Sequence, residues 1–263
     1  MGLRRKLKLI MHPAPMGVGR WGDSSLVLRP RRVRGARRVE IGSGVTIDKH
    51  GWIAAYESYQ GHRYEPLILI GDGVTIGRYL CLTAINRVEI GANCLFSEYV
   101  YISDHFHGTD PLQGPPVLQG LESKGPVLIG ESTFLGYRAC VLPGVSLGKH
   151  CVVGANAVVT RSFPDFSMIA GAPARLIKRY VVGKRKWEVV SIGDGLDGGL
   201  ARSSESPVTQ TLEAERVSLS DRNADQARKR SVAGTIGEGA AEGELRQGGS
   251  DMQHLDEPKQ AAR

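Results

Sequence analysis

Aromatic residues and cysteines are scarce in this chain, and long apolar runs are missing. Phe, Trp and Tyr make up 6% of the 263 residues, which argues against a core built on large aromatic side chains. Four cysteines without a CxxC pair (Cys81, Cys94, Cys140, Cys151) disfavour both a disulfide-rich scaffold and a thiolate zinc site. No apolar run approaches the roughly 20 residues that a membrane-spanning helix needs. Glycine is abundant at 34 residues, which fits a turn-rich all-β architecture.

Acidic residues are nearly absent from the start of the chain. Residues 1–38 hold eleven Lys or Arg against one acid, Asp23, so this segment carries a net charge of +10 and the remainder −3. We interpret it as a solvated basic arm that attracts phosphates, and one that is compatible with a peripheral membrane contact. Its first residues have the basic start of a signal peptide, but Lys8 interrupts the apolar stretch, and we expect no cleavage. No motif that reads nucleic acid accompanies the charge, so we expect no nucleic-acid partner.

An aliphatic residue recurs every six positions through much of the chain. The main series is Ile129, Leu135, Val141, Leu147, Val153 and Val159. A slim residue follows four positions later at Thr133, Ala139, Val145, Cys151 and Ala157. The same register appears earlier at Ile41, Ile47, Ile70, Ile76, Leu82, Ile90, Phe96 and Ile102. A period of six fits neither an amphipathic helix nor an isolated alternating strand, and it predicts a solenoid of stacked short strands and bends.

Two segments, residues 49–66 and 103–126, leave this register. The first holds an unusual share of the aromatic residues, namely Trp52, Tyr56, Tyr59 and Tyr64. It is either a loop at the edge of the solenoid or an aromatic platform for a sugar ring. The second is polar and proline-rich. Because long loops on a rigid repeat scaffold tend to be functional, it is the best candidate for a site.

The run IGESTFLGYRACVLPGVSLGKHCVVGANAVVTRSFPDFSMIAGAPARLIKR, residues 129–179, resembles the bacterial hexapeptide-repeat acyltransferase family. The likeness is strongest to its maltose and galactoside O-acetyltransferase branch and to relatives in O-antigen and capsule synthesis. It covers residues 39 to about 180. It implies an all-β fold, a left-handed parallel β-helix, with residues 103–126 as an extruded loop. We therefore predict three parts: a basic arm over 1–38, the β-helix over 39–180 and a mostly disordered tail over 181–263, where the composition is polar and no aromatic residue follows Trp187.

The resemblance also implies an activity. It points to an acetyl-CoA-dependent transfer to a sugar hydroxyl, in surface polysaccharide or glycoconjugate synthesis, with acetyl-CoA as co-substrate and no metal. The acceptor would be a small-molecule or lipid-linked sugar. Members of the family are commonly homotrimers with the site between adjacent subunits. We expect a cytoplasmic protein, with a peripheral contact at the inner membrane compatible with the basic arm.

Two histidines in the second interruption, His105 and His107, are candidates for a general base, since imidazole is largely neutral near physiological pH. The resemblance selects His107. The repeat GANCLFSEYVYI, residues 91–102, matches without gaps the one that precedes the catalytic histidine of the family, although Gly108 replaces the proline usual there. His105 is the reserve. Asp104 and Asp110 are candidates for holding the acceptor or orienting the imidazole, and equally for capping turns of the loop.

The resemblance places coenzyme A along the C-terminal coils. Carried over position by position, the contacting residues would be Gly136, Tyr137, Ala155, Thr160, Arg161, Arg175 and Lys178. The three basic side chains have the charge to contact phosphates. Tyr137 stands where the family usually has a small residue.

Two alternatives stay open at this point. One is a zinc hydratase of the γ-carbonic anhydrase type, in which the histidines of residues 105–107 would join His62 or His150 of a neighbouring subunit around the metal. The other is a non-catalytic repeat scaffold. The first predicts histidine-bound zinc in the purified protein, and the second predicts no consumption of acetyl-CoA.

Overall fold

The computed structural model describes residues 17–190. Residues 191–263 of the tail predicted to be disordered, and the first sixteen residues of the predicted basic arm, lie outside these residues. All described residues belong to a unit that spans Met1–Ala201. Within residues 17–190, no helix is long and apolar enough to cross a membrane.

Most of the strands are short and parallel and wind into a three-sided coil, and the others form antiparallel pairs. The strands are β1 (Arg20–Trp21), β2 (Leu26–Val27), β3 (Arg32–Arg34), β4 (Val39–Ile41), β5 (Thr46–Ile47), β6 (Trp52–Ala55), β7 (Ser58–Tyr59), β8 (His62–Arg63), β9 (Leu67–Ile70), β10 (Thr75–Ile76), β11 (Cys81–Ala84), β12 (Arg87–Ile90), β13 (Leu95–Phe96), β14 (Tyr101–Ser103), β15 (Phe106–His107), β16 (Leu121–Glu122), β17 (Val127–Ile129), β18 (Phe134–Leu135), β19 (Cys140–Val141), β20 (Ser146–Leu147), β21 (Val152–Val153), β22 (Val158–Val159), β23 (Ser167–Gly171), β24 (Ala174–Val181) and β25 (Lys186–Val189). Within the described part of the chain, four short 3-10 helices occupy Ala36–Arg38, Pro111–Gln113, Pro116–Leu118 and Val182–Lys184.

The parallel strands form three sheets, which we call faces A, B and C. Face A stacks β1, β4, β9, β12, β17 and β20; face B stacks β2, β5, β10, β13, β18, β21 and β23; and face C stacks β3, β6, β11, β14, β19 and β22. The chain visits the faces in the order A, B, C, so within residues 17–190 each of six coils contributes one strand to each sheet, and β23 adds a further strand to face B. This arrangement confirms the predicted β-helix.

The six-residue period corresponds to one face per repeat. Its aliphatic residues point inward and stack in register along each face, as in the pairs Leu135–Val153 and Ile102–Val141. All six aliphatic residues of the main series are fully buried, and the slim residues four positions later are at most 1% exposed. The interior is therefore a continuous aliphatic column in which each coil covers the next.

Tight bends separate the faces and require left-handed backbone. On the corner between faces A and B, one residue of each coil has a positive φ: Ser24, Gly44, Gly73, Asn93, Ser132, His150 and Phe166. Gly73 and Asn93 are residue types that tolerate this region, because they lack a Cβ or carry a short polar side chain. The bend fixes the conformation at this position, and the sequence fills it with a varied set of residues.

The β-helix extends beyond the predicted boundaries at both ends. Residues 20–34 form a complete first coil, in which Val27 pairs with Ile47 and is 4% exposed. Its hexapeptide period is hidden by Pro30 and the run of arginines, so the charge pattern predicted a solvated arm instead. At the other end, β24 and β25 continue face B as antiparallel strands, so the fold reaches residue 189 rather than 180.

Candidate functional site

Two loops leave the β-helix at the corner between faces C and A. The first loop, residues 56–66, follows β6 and contains the antiparallel hairpin β7–β8. Its turn residues Gln60 and Gly61 have φ values of 47° and 79°, as expected of a two-residue hairpin turn. The second loop, residues 104–126, follows β14 and contains the hairpin β15–β16 and two 3-10 helices. The predicted interruption over 49–66 therefore begins later than expected, because β6 within it belongs to the coil.

The loops pack against each other and form one layer over the side of the solenoid. The Tyr59 hydroxyl and the Gln60 amide both donate to the carbonyl of Val117, at 3.2 and 2.8 Å. The backbone N–H of Leu121 donates to the Tyr64 hydroxyl at 2.7 Å. Three side chains of the first loop thus fix the position of the second.

A buried carboxylate orients His105. Asp104 is 0% exposed, and its Oδ1 accepts from the His105 Nδ1 at 2.8 Å and from the Ile85 N–H at 2.9 Å. Its Oδ2 accepts from the Asn86 N–H at 2.8 Å. With Nδ1 donating to the carboxylate, the neutral imidazole presents an unprotonated Nε2 on the other side of the ring.

The His105 ring is enclosed on its other sides as well. Its side chain is 9% exposed, and the ring meets Tyr56 edge to face with centroids 5.7 Å apart. The Ser103 hydroxyl donates to the His105 carbonyl at 2.8 Å. His105 is therefore held in a single orientation within the base of the loop layer.

His107 lies two residues further along the chain, at the end of β15, and is exposed. Its ring meets Tyr59 edge to face, with centroids 5.3 Å apart. Its backbone pairs with Leu121 across the hairpin of the second loop. The two histidines thus differ in access: the imidazole of His107 is open to a substrate, whereas that of His105 is packed beneath the loops.

Asp110 is engaged within the second loop. Its carboxylate accepts from the Leu112 N–H at 2.8 Å and from the Gln113 amide at 2.9 Å, and so caps the 3-10 helix Pro111–Gln113. Asp104 is likewise occupied by its three donors. The sequence left several roles open for each carboxylate. The contacts of Asp110 correspond to capping a turn, and those of Asp104 correspond to orienting the imidazole. Neither carboxylate has a contact that points to a sugar acceptor.

The residues predicted to bind coenzyme A fall into three groups. Gly136, Tyr137 and Ala155 lie on the corner between faces B and C. A Cβ added at Gly136 would come within 2.7 Å of the Ala155 nitrogen, so these two residues stack directly in adjacent coils. Thr160 and Arg161 follow β22 on the corner between faces C and A, where the Arg161 guanidinium lies 5.3 Å from the Phe163 ring centroid.

The third group lies on the antiparallel extension of face B. Arg175 and Lys178 are on β24, paired with Ala170 and Met168 of β23. The first two groups flank face C at its last coils, one on each border, and only the second lies on the corner from which the loops emerge; β24 lies at the end of face B. The structure thus brings five of the seven predicted contacts to the borders of one face.

His62 and His150, invoked as partners in a shared zinc site, lie at different corners of the coil. His150 stacks on Phe166 at the corner between faces A and B, with ring centroids 5.4 Å apart. His62 is on β8, where its ring carbons lie near Gly120. Among the residues described, no group of three His, Cys, Asp or Glu side chains converges on a common point.

Sequence reasoning missed Gln119, which organises the second loop. This residue is 5% exposed, and its amide donates to the carbonyls of Asp110 and Gly114 at 2.8 and 2.6 Å. Its carbonyl oxygen accepts from the Asp110 N–H at 3.1 Å. The only local signal is a polar residue between proline-rich turns, which does not reveal a buried amide.

Comparisons with known proteins agree with this architecture. Residues 126–161 match the family described as the hexapeptide repeat of succinyl-transferase. The putative lipopolysaccharide biosynthesis O-acetyl transferase WbbJ of Escherichia coli is 40% identical over 129 residues, which are 46% of this chain and 65% of WbbJ. The probable acetyltransferase Rv3034c of Mycobacterium tuberculosis is 36% identical over 141 residues, which are 54% of this chain and 44% of that protein. The chain therefore spans less than two thirds of either relative.

Among solved structures, the N-acyltransferase AntD from Bacillus cereus, in complex with dTDP-4-amino-4,6-dideoxyglucose and Coenzyme A, superposes with a TM-score of 0.50. The match is 20% identical and covers 68% of this chain and 89% of AntD, so it bears on the fold alone. The chain thus carries a hexapeptide-repeat match over residues 126–161 and is similar, over about half its length, to proteins named as acetyltransferases.

Proposed function

We propose that this protein is an acetyl-CoA-dependent O-acetyltransferase that acts on a sugar hydroxyl. The observation that carries the proposal is the loop layer with its two histidines, which lies beside face C of a hexapeptide-repeat acyltransferase fold. The 40% identity to a protein named as an O-acetyl transferase of lipopolysaccharide biosynthesis supports acetyl as the group and a saccharide as the acceptor. AntD, with the same fold, binds Coenzyme A, which supports a thioester as the donor.

His107 is the proposed general base. Its imidazole takes the proton of the acceptor hydroxyl while that oxygen attacks the thioester carbonyl. The new C–O bond forms as the C–S bond breaks, and the proton passes from His107 to the departing thiolate of coenzyme A. His107 suits this role because its ring is exposed at the surface of the loop layer.

The Asp104–His105 pair is proposed to hold the strand that carries His107. Its carboxylate bridges β14 to the end of β11 one coil below, through the N–H groups of Ile85 and Asn86. A base placed two residues beyond such an anchor keeps its orientation when the acceptor binds. The pair thus positions the base without contacting the acceptor.

Coenzyme A is proposed to lie along the last coils beside face C. Gly136, Tyr137 and Ala155 would border the pantetheine arm on one corner, and Thr160 and Arg161 would border it on the other. Arg161, Arg175 and Lys178 supply positive charge for the phosphates. A homotrimer, which the resemblance implies, stays a prediction; light scattering tests it, since the chain mass is 28.4 kDa and the assembly would weigh about 85 kDa.

Substitution of the two histidines tests the base. His107→Ala is expected to lower kcat for acetyl transfer by about 10²–10⁴-fold, because that is the usual contribution of a general base, and to leave the melting temperature unchanged, because the side chain is exposed. His105→Ala is expected to lower the melting temperature, because it leaves the Asp104 carboxylate buried without one of its donors.

The same assay separates the alternatives. Thioester consumption would be followed with sugar acceptors by thiol release. If activity survives His107→Ala and disappears in a folded His105→Ala variant, His105 is the general base. Absence of turnover in the wild type with every acceptor would favour the scaffold, and stoichiometric zinc with hydratase activity would favour the γ-carbonic anhydrase type.

A further inference from the structure

A depression of about 750 Å³ lies against the outer side of the first loop. Its lining includes Arg34, Glu57, Ser58, Tyr59, Gln60 and Arg63. These residues come from two elements, the end of β3 on face C and the hairpin β7–β8. The volume is within the range of sites that hold small molecules.

The depression is positively charged. Across residues 17–190, neither Arg34 nor Arg63 has a carboxylate within ion-pairing distance, whereas other arginines of the fold do. The one acidic lining residue, Glu57, is paired with the Arg38 guanidinium at 3.1 Å and so does not neutralise the two arginines. An anion that enters the depression therefore meets two guanidinium groups that no carboxylate of residues 17–190 neutralises.

Tyr56 does not supply the missing negative charge. The Arg34 guanidinium lies over its ring, 4.8 Å from the centroid. Burial raises the pKa of the Tyr56 phenol above 10.0, although Arg34 and Arg32 act in the opposite direction. The phenol is therefore neutral at physiological pH, and its ring serves as a surface on which the guanidinium rests.

The depression adjoins both histidines through aromatic rings. Tyr59 forms part of its wall and meets His107 edge to face, with centroids 5.3 Å apart. On the side of Arg34, the Tyr56 ring meets His105 with centroids 5.7 Å apart. One aromatic ring thus separates the cationic surface from the exposed imidazole.

We propose that the depression binds the diphosphate group of a sugar-diphosphate acceptor, with Arg34 and Arg63 as its ligands and Tyr59 against the sugar. Two guanidinium groups from separate elements suit a ligand with two anionic centres, because each forms charge-assisted hydrogen bonds with phosphate oxygens. The sugar then lies between the diphosphate and His107. The assignment to an acceptor rests on the proposed function, whereas the anion site itself does not.

Titration with inorganic pyrophosphate tests the anion site without any turnover. Calorimetry of the full chain would compare the wild type with Arg34→Gln, Arg63→Gln and Arg29→Gln. Arg29 is an exposed arginine in the same coil as Arg34, on the corner between faces B and C. Its substitution removes one positive charge, as the other two do, but at a position away from the depression. Arg34→Gln and Arg63→Gln are each expected to weaken binding by roughly tenfold or more, and Arg29→Gln by less than about twofold. Equal affinity in all four proteins, or an equal loss in all three variants, would overturn the proposal.

Acceptor kinetics then test the link to the proposed function. For a diphosphate-linked sugar, Arg63→Gln is expected to raise KM by about tenfold, whereas Arg29→Gln is expected to change neither KM nor kcat. Better turnover of UDP-N-acetylglucosamine than of farnesyl-diphosphate-linked N-acetylglucosamine identifies a nucleotide carrier, and the reverse identifies a lipid carrier. If Arg63→Gln leaves KM unchanged for both compounds, the depression does not bind the diphosphate of the acceptor. If the wild type is inactive but still binds pyrophosphate through both arginines, the acetyltransferase proposal is contradicted and the anion site is supported.

Discussion

At the scale of single residues, the carboxylate of Asp104 decides how the site is held. It is fully buried, yet its oxygens accept three hydrogen bonds, two from backbone N–H groups and one from an imidazole. A buried carboxylate is tolerated in a protein interior only when it is satisfied in this way. The arrangement therefore depends on the charge and the two acceptor oxygens of this side chain.

Asp104→Asn is expected to destabilise the protein by about 2 kcal/mol, because an amide nitrogen would face one of the backbone N–H groups and leave it unsatisfied. Asp110→Asn is the matched control: its carboxylate caps an exposed 3-10 helix, and the loss is expected to stay below about 1 kcal/mol. Urea denaturation of both variants measures the difference. A stable Asp104→Asn variant with a raised KM for the acceptor alone would show instead that this carboxylate holds the acceptor.

The sequence indicated the histidines but not what surrounds them. The spacing of GANCLFSEYVYI and the loss of register after Ile102 were enough to single out residues 103–126. The donors to Asp104, at positions 85 and 86, come from the coil below, and Tyr59 reaches His107 from a loop 48 positions earlier. Such contacts depend on how the coils stack and on how the two loops pack against each other. A single sequence carries no local pattern for either.

At the scale of elements, the slim residue of each repeat is interchangeable because the stacking fixes its environment. At the start of face B this position is held in successive coils by Val45, Val74, Cys94, Thr133 and Cys151, all at most 1% exposed. The period therefore predicted the interior nearly completely. It missed the first coil, where a run of arginines after buried Val27 hides the period.

Cys94→Val tests this equivalence through alkaline stability. Burial raises the pKa of the Cys94 thiol from 9.0 to about 12, so the unfolded chain loses this proton more readily than the folded one. The stability is then complete below about pH 9 and falls as the pH rises towards 12, by at most about 1.4 kcal/mol per pH unit for this thiol. The variant carries valine, the residue that Val74 places at the same position one coil below. It is expected to fold and to lose less stability than the wild type between pH 9 and pH 11. Urea titrations at both pH values measure this, and an unchanged pH slope would contradict it.

At the scale of the whole molecule, stability arises between neighbouring coils rather than from a single central core. The inward residues contact the residues in register above and below them, and few contacts connect distant coils. An interior coil is covered on both sides, whereas among the described residues the first coil is covered on one side only. The contribution of an inward residue should therefore depend on its place along the stack.

Val141→Ala and Val27→Ala make the same chemical change at two such places. Val141 lies between Ile102 and Val159 on face C, and its truncation leaves a cavity that neither neighbour can fill, at a cost of about 2–3 kcal/mol. Val27 stacks only on Ile47 within residues 17–190, and the first coil can relax around the smaller side chain, so about 1 kcal/mol is expected. Urea denaturation gives the two losses, and hydrogen exchange shows whether the effect of Val27→Ala stays in the first coil. Equal losses, with exchange accelerated throughout the stack by Val27→Ala, would mean that the first coil is bound as firmly as an interior one and that the solenoid unfolds as a single unit.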